Sequence, residues 1–288
     1  MVAVANRLKT APASSSAARK LALVTKGRTH GPITRLVSPS DIGELIKPFV
    51  FLDLFDVPPA RVPLFGWHPH SGIATLTLVI EGQASYEEAT GAKGVLMPEG
   101  GVEWMQAGGG CWHTGGVVGQ QRLRGFQLWV ALPPELELKP ASSLYLRPEQ
   151  VPAAGPARVV LGRYEGITGP IPAPSDMVYL YVRLAPGERW LFKTPDLHPV
   201  AWLAVLSGQL SEPANVGAGD LAIFEESSAA VEVVARTETL FVFGSARKHP
   251  HDLVLGNYSV HTSAEALQRG ELNIEQIGQS LFAKGSSR

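Results

Sequence analysis

Residues 73–83 have the sequence IATLTLVIEGQ, a run of β-type residues that ends in Gly-Gln. Polar and apolar side chains alternate in its first half, which is the pattern of a strand with two different faces. The glycine predicts a tight turn into a second strand. Residues 204–209, AVLSGQ, repeat the same unit. The repeat predicts two similar β domains in tandem, each a sandwich or a barrel.

Short β-type runs continue in both directions from this segment, separated by many of the 30 glycines and 23 prolines of the 288-residue chain. Prolines crowd the region between residues 133 and 156, and a central strand excludes them. Near the end, Ser263 stands as an N-cap before a helical pattern. We therefore predict an all-β fold of two tandem barrels with a short helical C-terminal segment. The predicted units are a flexible lead-in (1–20), a first barrel (21–140), a Pro-rich junction (141–157), a second barrel (158–262) and a helical tail (263–288).

Composition excludes several classes of function. The net charge is −1 with a pI near 6.7, and no stretch clusters Lys and Arg densely, so direct nucleic-acid binding is not expected. No apolar run approaches the length of a membrane span, and residues 1–20 lack the apolar core of a signal peptide. Cys111 is the single cysteine, which suits a reducing compartment. We expect a cytoplasmic protein.

Histidines carry the chemistry that the sequence predicts. In residues 66–70, GWHPH, His68 and His70 stand two apart, so that on an extended chain both point to the same side. A third imidazole, His113, follows a run of three glycines. Neutral imidazoles suit Fe, Cu, Zn and Ni. The alternative is that the histidine pair lies in a loop and only binds backbone groups.

Three longer segments resemble the pirin family. Its signature H-P-H-R-G-F-E-T is similar to residues 68–75, HPHSGIAT, and its Q-W-M-T-A-G-R-G…H-S-E is similar to residues 103–115, EWMQAGGGCWHTG. Its strand G-F-Q-L-W-V-N-L-P is similar to residues 125–133, GFQLWVALP. The resemblance covers about residues 28–270 and is strongest up to Pro133.

The resemblance implies a bicupin, a pair of cupin barrels whose N-terminal barrel holds one divalent metal through three His and one Glu. The histidines correspond to His68, His70 and His113, and the second barrel has no metal motif. Iron is the metal that the resemblance favours, with Cu, Zn, Ni or Mn as alternatives, or no metal at all. The family's glutamate falls on Gly115, so the fourth ligand is missing.

Three outcomes are open at the missing fourth position. Waters complete the coordination of the three histidines, or the site is empty, or Cys111 replaces the carboxylate because it lies two residues before His113. We rank them in that order, since a buried cysteine usually packs as a small apolar residue. Glu103 corresponds to a family glutamine, and we expect it on the strand surface.

Three functions follow from the resemblance. The first is a quercetin-type dioxygenase with a small aromatic substrate, although Gly115 replaces the residue expected to act as both ligand and general base. The second is a non-catalytic, metal-dependent regulatory protein, similar to a transcription cofactor, that binds a protein partner. The third is a degenerate, metal-free cupin scaffold.

Overall fold

The structure is a computed structural model that describes residues 18–59 and 65–285. Its strands confirm the expected all-β architecture of two tandem barrels followed by a helix. Residues 1–17 of the predicted lead-in (1–20) lie outside the described residues. Of its last three residues, Arg19 is buried against the second barrel, where its guanidinium lies 3.1 Å from the carbonyl oxygens of Ala229 and Pro199.

The N-terminal half contains strands β1 to β12 and a short helix. Their bounds in chain order are β1 (Leu21–Thr25), β2 (Arg28–His30), β3 (Ile33–Val37), α1 (Ile42–Ile46), β4 (Phe49–Val57), β5 (Phe65–His70), β6 (Ile73–Glu81), β7 (Gln83–Glu88), β8 (Lys93–Leu96), β9 (Gly101–Gln106), β10 (Cys111–Val118), β11 (Leu123–Ala131) and β12 (Ser142–Leu146).

The C-terminal half contains strands β13 to β26 and a long helix. Their bounds are β13 (Ala153–Ala154), β14 (Ala157–Leu161), β15 (Arg163–Tyr164), β16 (Ile167–Thr168), β17 (Met177–Leu184), β18 (Arg189–Phe192), β19 (Val200–Ser207), β20 (Gln209–Glu212), β21 (Val216–Gly217), β22 (Leu221–Phe224), β23 (Val231–Ala235), β24 (Thr239–Ala246), β25 (Val254–Leu255), β26 (Val260–His261) and α2 (Ala264–Gly285).

The two barrels share one layout. Within the described residues, the first barrel has a seven-stranded sheet in the order β12-β9-β6-β11-β4-β3-β2 and a four-stranded sheet in the order β5-β10-β7-β8. The second barrel has a seven-stranded sheet, β1-β22-β19-β24-β17-β14-β13, and a four-stranded sheet, β18-β23-β20-β21. Strands β6 and β19, which carry the repeated sequence, therefore occupy equivalent third positions.

Each of these two strands turns at a glycine, as the repeat predicts. Gly82 and Gly208 have φ angles of 73° and 85°, a region that side chains with a Cβ rarely adopt. A Cβ on Gly82 would lie 2.3 Å from the carbonyl oxygen of Arg122, and one on Gly208 would lie 2.1 Å from that of Glu238. Only glycine fits at both turns.

The two large sheets pack against each other through an apolar core that both barrels share. Leu76 and Phe126 of the first barrel belong to one buried cluster with Tyr179 and Trp202 of the second. The ring of Phe49 meets that of Trp202 edge to face, with 5.3 Å between their centroids. Strands of the first barrel are therefore buried on both faces, one against the second barrel and one toward the barrel interior.

Both ends of the described chain cross to the other barrel. Strand β1 pairs with β22 of the second barrel, although the predicted unit 21–140 begins with this strand. In the opposite direction, helix α2 packs on β10 of the first barrel, where Trp112 Nε1 donates to the carbonyl oxygen of Ile274 over 2.7 Å. The two terminal segments therefore each pack on the barrel at the other end of the sequence. The predicted domain bounds stay a prediction.

The C-terminal tail is one continuous helix, α2. Ser263 caps it as predicted, since its Oγ accepts from the backbone N–H of Ala266 over 3.1 Å. Among the described residues, no helix combines the length and the apolar character that crossing a bilayer requires.

Candidate metal centre

The structure brings the imidazoles of His68, His70 and His113 together inside the first barrel. His68 and His70 lie on β5, and His113 lies on the neighbouring strand β10, where it pairs directly with His68. The ring centroids are 4.4 Å apart for His68 and His113, and 5.1 Å apart for the other two pairs. One ligand atom from each ring can be chosen so that all three lie within 4.8 Å of one another.

Hydrogen bonds orient the three rings for a common ligand. His68 Nδ1 lies 2.8 Å from the Gly66 carbonyl oxygen, and His70 Nδ1 lies 3.0 Å from that of Tyr258. Because a carbonyl oxygen only accepts, each Nδ1 carries the proton and each Nε2 keeps a lone pair. His113 Nε2 is buried without a hydrogen-bond partner in the described part of the chain. Three free imidazole nitrogens in one place fit a transition-metal ion.

Burial keeps two of these rings neutral. Desolvation, together with the neighbouring His113, lowers the pKa of His68 to about 4. Desolvation also lowers the pKa of His70 well below its ordinary value. At neutral pH both rings are therefore unprotonated, which is the form that binds a metal.

The position of the missing acid is closed to a side chain. A Cβ on Gly115 would lie 2.8 Å from the backbone carbonyl oxygen of Ser85. The register between β10 and β5 also shifts between His113 and Gly115. A glutamate at residue 115 would therefore require the backbone to move.

Cys111 lies outside the histidine group. It is buried in a small apolar cluster with Met105 and Ala107, and its Sγ lies 3.7 Å from the Trp112 carbonyl oxygen. Burial, with Glu88 and Glu103 nearby, raises the pKa of the thiol to about 12. Cys111 therefore packs as a small apolar residue, without the thiolate character that metal binding needs.

A row of polar side chains crosses the wall of the barrel beside the histidines. Its members are direct cross-strand neighbours on β3, β4, β11, β6 and β9. They are Arg35, Asp53, Gln127, Thr77 and Glu103. Arg35 and Asp53 form an ion pair, with Arg35 Nη2 3.1 Å from Asp53 Oδ2. Thr77 Oγ1 lies 2.8 Å from both Glu103 Oε2 and Gln127 Oε1.

Glu103 ends this row next to His113. Its Oε1 lies 3.6 Å from His113 Nδ1, and the residue is only 4% exposed. The expectation of a strand-surface carboxylate is therefore wrong, because β9 is buried on both faces. Burial alone raises the pKa of Glu103, but contacts with His113 and Thr77 lower it below its ordinary value.

A cavity of about 340 Å³ opens in front of the histidines. Its walls are largely apolar and aromatic. The rings of Phe51 and Trp129 stack at 4.0 Å, and the Trp129 ring lies 4.8 Å from that of His70. The apolar and aromatic lining residues are Ile33, Phe51, Phe55, Ala84, Tyr86, Leu96, Leu123, Trp129 and Tyr258.

A buried polar cluster holds the C-terminal segment against this site. Ser71, next to His70, lies 2.8 Å from Ser259 Oγ and 3.0 Å from His261 Nε2. His261 Nδ1 in turn lies 3.1 Å from a Glu137 carboxylate oxygen. Because Ser71 is fully buried, we assign the cluster a structural role. Sequence spacing gave no signal for it, since Ser71 and Ser259 are 188 residues apart.

Comparison with known proteins agrees with this architecture. The sequence model of the pirin family, described as "Pirin", matches residues 32–130. A Pseudomonas aeruginosa protein named "putative quercetin 2,3-dioxygenase" is 34% identical over 239 residues, which cover 76% of this chain and 82% of that protein.

Two solved structures share the fold. A quercetin 2,3-dioxygenase from Acinetobacter baumannii has a TM-score of 0.82 at 20% identity, covering 89% of this chain and 96% of that one. A bacterial pirin from Escherichia coli in complex with nickel(II) has a TM-score of 0.61 at 19% identity, covering 81% and 99% respectively.

Two tandem barrels with an imidazole group inside the first define a bicupin. The extent of the sequence match then decides the family, because it runs through both barrels and covers most of a relative's length. The chain belongs to the pirin family.

Proposed function

We propose that this protein binds one divalent transition metal through His68, His70 and His113. The observation that carries the proposal is the convergence of three imidazoles, two of which have their Nδ1–H groups bound to backbone carbonyls. Iron is our first choice of metal. Nickel(II) is a direct alternative, because the Escherichia coli pirin of the same fold is described in complex with it.

We further propose that the cavity takes a small aromatic substrate for dioxygenase chemistry of the quercetin type. The relative's name motivates the reaction, and the aromatic walls support the substrate class. The stacked rings of Phe51 and Trp129 make this part of the wall apolar and aromatic, which suits a flat ring. When bound, a transition metal supplies Lewis-acid and redox chemistry toward O₂ and the substrate.

Elemental analysis of purified protein tests the metal site. We expect about one metal ion per chain in the wild type and a sharp loss in His113→Ala, because two imidazoles hold a metal poorly. His249→Ala is the matched control, since His249 is also buried but lies outside the group. Equal metal content in the wild type and His113→Ala contradicts the assignment.

Aerobic incubation of the iron-loaded protein with quercetin tests the activity. We expect loss of flavonol absorbance faster than in buffer and faster than with His113→Ala. Metal binding without turnover would favour the regulatory alternative, in which the protein acts on a protein partner. A metal-free wild type that cannot be loaded would favour the scaffold.

We also propose a cytoplasmic location, which rests on Cys111 being the single cysteine of the sequence, since this cysteine usage suits a reducing compartment. Fractionation of cells that produce the full chain tests it.

A further inference from the structure

We propose that Glu103 supplies the negative charge that the family places at residue 115, and that it does so as a positioning residue for His113. In this arrangement the carboxylate holds the imidazole, and the imidazole holds the metal. The inference rests on the proposed function, because it concerns the same metal centre.

The geometry of Glu103 fits a carboxylate that positions an imidazole. Its Oε2 accepts a hydrogen bond from Thr77, while its Oε1 is buried, has no hydrogen-bond partner in the described part of the chain, and lies 3.6 Å from His113 Nδ1. A carboxylate at Nδ1 favours the tautomer with a proton on that nitrogen. The lone pair then resides on Nε2, the atom that is also buried and unpartnered.

All three histidines would then have the proton on Nδ1, which leaves the lone pair of Nε2 for the metal. Backbone carbonyl oxygens hold His68 and His70 at Nδ1, and Glu103 performs the same task for His113. The Glu103 carboxylate differs from the two backbone carbonyls because it carries a full negative charge. That charge lies one side chain from the metal position, where it offsets part of the ion's charge.

Direct ligation by Glu103 agrees less well with the structure. The carboxylate is not part of the group whose ligand atoms lie within 4.8 Å of one another in the described chain. The family position is also blocked, since a Cβ on Gly115 meets the Ser85 carbonyl oxygen at 2.8 Å. The charge therefore acts through His113, from the neighbouring sheet.

Glu88 provides a matched comparison. It is also a buried carboxylate of the first barrel, and it pairs across the strands with His113. Its oxygens, however, accept from Tyr145, Ser143 and Thr90, and Glu88 is not among the residues that line the cavity. Burial and proximity in the sheet are thus similar for Glu88 and Glu103, while the contact with the imidazole differs.

The experiment is a calorimetric titration of chelator-treated full-length protein with Ni²⁺, which measures the Ni²⁺ affinity. We expect Glu103→Gln to weaken Ni²⁺ binding roughly 10- to 100-fold, the usual cost of losing such an outer partner. Glu88→Gln should bind Ni²⁺ like the wild type. Thr77→Val, which frees Glu103 Oε2, is a second variant and should weaken binding by less than Glu103→Gln.

Absorption spectra of the Co²⁺-loaded proteins give a readout that a purely structural role would leave unchanged. We expect the ligand-field bands to shift in Glu103→Gln and to stay in place in Glu88→Gln. Urea unfolding of the metal-free proteins is the control for stability, and we expect equal midpoints for the two variants. Equal Ni²⁺ affinity in the wild type and Glu103→Gln overturns the role of Glu103 alone. An equal loss in Glu88→Gln also overturns it, and a wild type that binds no Ni²⁺ overturns the metal centre itself.

Discussion

The two barrels have the same strand order, but the interior of the first is partly polar and contains a cavity, while the interior of the second is apolar and filled. In the first barrel the cross-strand row Asp53–Gln127–Thr77–Glu103 is polar and borders a cavity. The equivalent row of the second barrel, in the same sheet positions and register, is apolar throughout and consists of Leu180, Phe243, Leu203 and Ala222.

Aromatic rings fill the space in the second barrel where the first has its cavity. The ring of Phe243 lies 5.1 Å from that of Trp190 and 4.6 Å from that of Phe192. All three residues are almost fully buried. The comparison shows that this architecture does not create a site by itself. A few inward-facing positions decide whether a barrel is a packed core or a chamber.

The largest effect that tests this comparison is on stability. Phe243→Ala removes a ring from a filled interior, so we expect it to cost about 3–5 kcal/mol of unfolding free energy. Phe55→Ala removes the same ring from a cavity wall of the first barrel, where space already exists. We expect about 1.5–3 kcal/mol there, because mainly the transfer term is lost.

Urea unfolding of the metal-free proteins measures both values. Equal costs for the two substitutions would mean that the first barrel is packed as tightly as the second, and would break the comparison.

The next effect is on the pH dependence of stability. Burial lowers the pKa of His68 to about 4, against an ordinary value of 6.5. Between these values the unfolded chain binds a proton that the folded chain does not, so stability falls as the pH is lowered through this window. We expect His68→Gln to flatten this fall in the metal-free protein.

Urea midpoints between pH 7.5 and 4, with chelator present, are the measurement. His30→Gln is the control, because His30 is exposed. The prediction fails if the wild type and His68→Gln lose stability in parallel.

The smallest effect concerns Cys111. Because the thiol lies in an apolar cluster outside the histidine group, Cys111→Ala should leave the metal content unchanged and cost about 1 kcal/mol of stability. Elemental analysis and thermal unfolding test this. A loss of metal in this variant would restore Cys111 as a ligand.

The sequence predicted the architecture well because strand alternation and turn glycines are local signals. The spacing of His68 and His70 was also local, and His113 came from its surroundings in a longer motif. Glu103 was misjudged for a physical reason. Residues 101–106 are buried on both faces, so the strand gives no polar face against which a buried carboxylate stands out.

Tyr258 was missed for a different reason. It contributes a backbone carbonyl oxygen, which every residue type has, so the residue identity gives no signal for this role. The row from Asp53 to Glu103 likewise depends on the register of four strands. Pairing across strands, and not the spacing along the chain, makes these residues neighbours.

The Tyr258 carbonyl that holds His70 has a consequence for biosynthesis. A ribosome makes Tyr258 188 residues after His70, so the nascent N-terminal barrel exists without this partner while those residues are added. The orientation of one imidazole is therefore fixed only after the strands of both barrels have been made, and a chain released before residue 258 would carry all three histidines without that support.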